Sequence, residues 1–74
     1  MTATDEAEDE VKSRIRSLQR RGQVAGSTWY DLPYELRNWL KRKARSYAED
    51  GESADEAARH AVRRADREGR LPKP

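Results

Sequence analysis

Lysine and arginine are the residues of this chain whose number and spacing point most clearly to a chemical role. Sixteen of the 74 residues are lysine or arginine, against 14 aspartates and glutamates. Five of these bases fall within nine residues, at Arg37, Lys41, Arg42, Lys43 and Arg45. A cluster of this density favours a surface that neutralises successive phosphates, because phosphate binding needs little more than positive charge within reach.

Groups that could catalyse a reaction are sparse. His60 is the single histidine and the chain has no cysteine, so disulfides, thiolate metal sites and ordinary zinc sites are excluded. No serine is placed to form a nucleophilic pair with His60. Asp55 and Glu56 are adjacent and would point about 100° apart on a helix, so they cannot work as a paired acid and base. We therefore expect a protein that is not an enzyme and that needs no cofactor or metal.

The charge is distributed in three blocks. Residues 1–10 carry five acids and no base, residues 11–48 carry ten bases and two acids, and residues 49–74 carry six bases and seven acids. The net charge of +8 in the central block predicts that it faces a negatively charged partner. Two other interpretations stay open. The acids could lie against the basic block within the chain, or they could simply stabilise the positive end of a helix dipole.

The chain is about half the length of a typical domain, and it has few large apolar side chains. Leucine, isoleucine and valine together number nine and phenylalanine is absent, so the core must be thin. Folding is marginal at this size, and a homodimer or another partner surface could complete the core. No apolar run approaches the roughly 20 residues of a membrane span, and the acidic start is unlike a signal peptide. We expect a soluble, cytoplasmic protein without a membrane partner.

Three amphipathic helices would position the cations. The first spans about residues 5–21, with apolar residues three or four apart and Gly22 as its C-cap. The second spans about residues 33–48 and carries large apolar side chains on one face and the five bases on the other. The third begins at Ser53, which forms a capping box with Glu56, and presents a face made almost entirely of alanine.

The fold class is therefore all-α, a small three-helix domain with room for one short strand before the second helix. Residues 22–33 contain two glycines followed by β-favouring residues, and predict either a loop or that strand. We assign residues 1–10 to an acidic, partly flexible leader and 11–70 to a single helical domain. Residues 71–74 form a flexible C-terminal tail.

One stretch of the chain resembles the ribbon-helix-helix DNA-binding proteins. The resemblance covers about residues 27–68 and is carried by Tyr30-Asp31-Leu32-Pro33-Tyr34-Glu35-Leu36, then Leu40, Ala44 and Ser53, then Ala58-Arg59-His60-Ala61-Val62-Arg63-Arg64-Ala65. Members of that family join a short strand ending in Leu-Pro to two helices, and dimerise by pairing their strands. The resemblance implies a dimeric DNA-binding regulator whose strand lies just before Pro33.

The preferred hypothesis is a small regulator that binds nucleic acid through a basic helix face. The residues assigned to that contact are Arg37, Lys41, Arg42, Arg45, Arg16 and Arg20. The alternative is a protein-binding module or small inhibitor that docks on a larger complex through exposed aromatics, with Trp29, Tyr30 and Tyr34 as the contact residues. In a chain with so little apolar material, the same aromatics could instead serve as core.

Overall fold

A computed structural model describes residues 2–74 of the chain. It contains three α-helices: α1 (Ala3–Arg20), α2 (Tyr34–Glu49) and α3 (Ala54–Arg67). A 3-10 turn at Trp29–Asp31 precedes α2. The all-α architecture with three helices is confirmed, and residues 2–74 contain no strand. None of the helices described is both long and apolar enough for a membrane crossing.

The first helix begins earlier than the apolar spacing predicts. The Thr2 hydroxyl accepts a hydrogen bond from the Asp5 backbone N–H at 3.3 Å and caps the helix. Two acids, Asp5 and Glu6, then lie in the first turn, where they favour the positive end of the helix dipole. Ala7 is fully buried, so most of the segment predicted as a separate leader is part of α1.

The three helices pack as an up-down-up bundle. Arg45 near the end of α2 meets Glu8 near the start of α1, so these two helices are antiparallel. Tyr47 of α2 stacks on His60 of α3, and near the other end of the pair Trp39 lies under Arg70, so α2 and α3 are antiparallel as well.

The core is a single cluster that takes residues from every helix. Its largest fully buried side chains are Ile15, Leu40 and Val11. On α3 the buried face is made of alanines and Val62. Alanine adds little apolar area, but it lets the other two helices approach the α3 backbone closely.

The connection between α1 and α2 folds as a loop and a 3-10 turn, and the short strand allowed by the sequence is not formed. The Asp31 carboxylate accepts hydrogen bonds from the backbone N–H groups of Ser27, at 2.8 Å, and Thr28, at 3.0 Å. These local bonds curl the chain and occupy N–H groups that a strand would offer to a partner. Buried Val24, Trp29 and Leu32 then hold the loop against the bundle.

Hydrogen bonds also fix both ends of the α3 region. The Ser53 hydroxyl accepts from the Glu56 N–H at 3.2 Å and donates to the Glu56 carboxylate at 3.0 Å, so the predicted N-cap is confirmed. Beyond α3, Leu71 is buried in the core and the Pro72 carbonyl accepts a hydrogen bond from the Ala25 N–H at 2.9 Å. The start of the predicted tail is therefore attached to the loop before α2.

Candidate nucleic-acid interface

The predicted cations of α1 and α2 come together because the two helices are antiparallel and in a fixed register. The Glu8 carboxylate lies 4.0 Å from Arg45 Nε. Because the helices are antiparallel, a step of one turn adds four residues on α1 and subtracts four on α2. The first step from this pair places Lys12 opposite Lys41, and the second places Arg16 opposite Arg37. Arg20 follows Arg16 on the same side of α1.

We call this surface the basic face, and define it as Lys12, Arg16, Arg20, Arg37, Lys41 and Arg45. Arg16, Arg20 and Arg45 are exposed, whereas the other three cations are half-buried. Among residues 2–74, Arg45 is the one member of the basic face with a carboxylate within 4.0 Å. The acidic residues of α1 therefore do not neutralise the predicted cluster, and most of its charge is available to a ligand.

Two exposed tyrosines lie at one end of the basic face. Tyr30 is 72% exposed and Tyr34 is 68% exposed, and both are large rings in a chain whose other large apolar side chains are mostly buried. The Arg37 guanidinium carbon lies 5.4 Å from the ring centroid of Tyr30 and 5.7 Å from that of Tyr34. Both distances are within the range of a cation–π interaction. We call Tyr30, Tyr34 and Arg37 the tyrosine cluster.

The loop before α2 determines where Tyr30 points. Asp31 follows Tyr30 directly, and its bonds to the backbone N–H groups of Ser27 and Thr28 lower the pKa of its carboxyl below the ordinary value. On the other side of the loop, Gln19 Nε2 donates to the carbonyls of Ala25, at 3.0 Å, and Thr28, at 2.8 Å. These bonds tie the 3-10 turn to the end of α1.

Gly26 allows this loop to close. It has a φ of +93°, which residues with a side chain rarely adopt, and a Cβ atom there would lie 2.7 Å from the Asp31 Cβ. The loop therefore needs glycine at this position for both backbone conformation and space.

Two of the predicted contact residues, Trp29 and Arg42, are placed differently from the others. Trp29 is 6% exposed and belongs to the core, so it does not share the exposed surface of Tyr30 and Tyr34, and the interpretation of the aromatics as core is correct for this side chain. Arg42 follows Lys41 by one residue and therefore points about 100° away from it. Arg42 is exposed and lines one groove with Trp39 and Arg70 and a second with Arg45, so it lies at the edge of the basic face.

The positively charged residues of α3 are arranged differently, because several are already paired. Asp55 accepts from Arg14 at 2.6 Å and from Arg59 at 2.9 Å, and the bond from Arg14 is the largest cause of the lowered pKa of Asp55. Arg64 donates to Glu68 at 2.8 Å and to the Tyr47 hydroxyl at 3.1 Å. These pairs join α3 to its neighbours and leave it with less available positive charge than the basic face.

His60 is the other side chain that the sequence singles out for its chemistry. His60 stacks on Tyr47 with ring centroids 3.7 Å apart, and its Nδ1 lies 3.1 Å from a Glu52 oxygen, so it joins α2 and α3 as a structural side chain. Residues 2–74 contain no group of three or more side chains of the types that could hold a metal ion. Comparison of the chain with protein-family models, with curated proteins and with solved structures finds no match.

Proposed function

We propose that this chain is a small regulatory protein that binds nucleic acid through the basic face, without catalysing a reaction. The observation that carries the proposal is the alignment of six cations along α1 and α2, of which one has a carboxylate within 4.0 Å among the described residues. Cations arranged in this way can exchange their counterions for the phosphates of a nucleic acid.

The proposal rests on helices and not on a strand. The ribbon-helix-helix resemblance implies DNA contact through paired strands, but residues 27–32 form a loop and a 3-10 turn. The basic face of α1 and α2 supplies the positive surface instead. A homodimer is compatible with this arrangement but is not required by it.

The basic face is tested by removing two of its charges. We expect the double variant Arg16→Gln/Lys41→Gln, which removes one cation without a carboxylate partner from each helix, to bind a fluorescein-labelled oligonucleotide more weakly than the wild type in fluorescence anisotropy. Because two phosphate contacts are lost, the slope of log K against log salt concentration should become shallower by about 1.4 for a single strand and 1.8 for a duplex.

The matched control is Arg63→Gln/Arg67→Gln, which removes the same charge from exposed positions on α3. It should retain wild-type affinity and salt dependence. If both double variants lose affinity equally, net charge alone explains binding and the basic face is not a site. If the wild type binds no oligonucleotide at about 50 mM salt, the proposed function is wrong. The tyrosine cluster would then be tested as a docking surface for a protein.

A further inference from the structure

From the tyrosine cluster we infer that the chain prefers single-stranded nucleic acid, with bases stacking on Tyr30 and Tyr34 while the basic face follows the phosphates. This inference rests on the proposed function and adds the class of ligand. Proteins that bind single strands combine a positively charged track with aromatic rings, because every base has a flat face that can stack on a ring. Both features are present here on one surface.

The exposure of the two rings is the first step of the argument. Tyr30 and Tyr34 stay 72% and 68% exposed in a chain whose core is short of large side chains. Trp29 and Leu32, their neighbours in sequence, are 6% and 3% exposed. The fold therefore places the apolar residues of this segment inside and leaves the two tyrosine rings outside.

The position of Arg37 is the second step. Its guanidinium carbon lies beside both rings, at 5.4 and 5.7 Å from their centroids, so one cation holds the two rings as neighbours. Arg37 also belongs to the basic face, and its Nε is buried without a hydrogen-bond partner among the described residues. A strand whose bases reach the tyrosines would therefore bring its phosphates to the cations of α1 and α2.

The surroundings of the rings favour a single strand over the other occupants. A duplex keeps its bases stacked inside, so it would use the cations and leave the two rings without a role. A protein interface usually has an apolar centre. Around the tyrosines, however, the large apolar neighbours Trp29, Leu32 and Leu36 are all buried, and the exposed apolar neighbour is the small ring of Pro33. Rings and cations without an exposed apolar centre fit a single nucleic-acid strand best.

The experiment compares three labelled probes by fluorescence anisotropy at about 50 mM salt. They are an oligo(dT) of about 12 nucleotides, a duplex of the same length, and an abasic strand of that length, which keeps the phosphates and lacks the bases. The wild type should bind oligo(dT) more tightly than the other two probes. In the variant Tyr30→Ala/Tyr34→Ala, which removes two stacking rings, affinity for oligo(dT) should fall by about 30-fold or more. Affinity for the abasic strand should stay unchanged.

A second variant separates stacking from other effects. Tyr30→Phe/Tyr34→Phe keeps both rings and removes both hydroxyls, so it should bind oligo(dT) about as tightly as the wild type. Because both side chains are exposed, the alanine variant should keep its helical circular dichroism, which is measured alongside.

The outcomes distinguish the two proposals. If the wild type binds all three probes equally, or if the alanine variant loses affinity for oligo(dT) and the abasic strand alike, the stacking inference is wrong. In that case the proposed function survives. If none of the probes binds, both proposals are wrong.

Discussion

Asp31 shows how one side chain fixes the geometry of the candidate interface. Its carboxylate accepts two backbone N–H groups, from Ser27 and Thr28, and these bonds stabilise the charged form. The pKa of Asp31 is therefore lower in the folded protein than in the unfolded chain. A carboxyl whose pKa is lower in the folded protein stabilises the fold fully when the pH is above its pKa in the unfolded chain. This contribution decreases as the pH falls below that value, and it is lost once the pH is below the pKa in the folded protein.

Replacing Asp31 gives a test of this pH dependence. We expect Asp31→Asn to have a lower Tm than the wild type at neutral pH, because it accepts the two N–H groups without a charge. The difference between the two proteins should begin to shrink below about pH 4, the ordinary pKa of an aspartate in an unfolded chain, and should be lost once the pH falls below the lower pKa of folded Asp31. Thermal unfolding followed by circular dichroism between about pH 2 and pH 7 measures this difference.

Asp55 and Glu68 also have lowered pKa values, through their arginine partners, so the wild type will show acid sensitivity from other sources as well. The acid sensitivity that comes from Asp55 and Glu68 is the same in the wild type and in Asp31→Asn, so it cancels in the difference between their Tm values. Asp9→Asn is the control, since Asp9 is exposed in the middle of α1, and its Tm should remain close to that of the wild type at every pH. An Asp31→Asn protein with the wild-type Tm at neutral pH would contradict the capping role.

At the level of elements, the helices are the part of the fold that the sequence predicts best. Their apolar residues recur every three or four positions, and this spacing identifies Leu36, Leu40 and Ala44 as the buried face of α2. The loop between α1 and α2 is less predictable, because its β-favouring residues are also typical of a short strand. Thr28 and Asp31 have the spacing of a Thr-x-x-acid capping motif, which was the available signal for the 3-10 turn.

The candidate site could be predicted only in part, for a related reason. Sequence spacing identifies the cations of α2, but their combination with Lys12 and Arg16 depends on the register between two helices. That register is set by packing between residues far apart in the chain. The geometry of the 3-10 turn also decides that Tyr30 is exposed while the adjacent Trp29 is buried.

The capping of α3 provides a prediction for an element. Ser53→Ala removes the acceptor of the Glu56 N–H and should lower the free energy of unfolding by about 1 kcal/mol. Ser46 is the matched control, since it is exposed within α2 and Ser46→Ala introduces a better helix former. That variant should be as stable as the wild type or more stable by up to about 0.5 kcal/mol. Urea unfolding measures both variants, and an equal change in the two would mean that the cap contributes nothing.

At the scale of the whole molecule, the distribution of charge matters more than its sum. The net charge is +2, yet residues 11–48 carry ten bases and two acids. Folding brings α1 beside α2, so the acids at the start of α1 lie next to one end of the basic face. Glu8 is the acid that lies within 4.0 Å of one of its cations, Arg45. The basic face thus extends from this acidic end to the tyrosine cluster at the other.

This arrangement predicts that Glu8 weakens the binding of a polyanion. A carboxylate within about 8 to 10 Å of a phosphate in water opposes binding by about 0.5 kcal/mol. We therefore expect Glu8→Gln to bind oligo(dT) about two- to threefold more tightly than the wild type at low salt. The gain should disappear as added salt shortens the screening length to about 3 Å at 1 M.

The control for this prediction is Glu6→Gln, which removes the same charge from an exposed position that points away from α2 by helical geometry. It should change the affinity less than Glu8→Gln does. The stability of Glu8→Gln should stay within about 1 kcal/mol of the wild type, because an exposed ion pair contributes little. An equal gain from both variants would mean that the ligand responds to total charge, and that position along the basic face has no effect on binding.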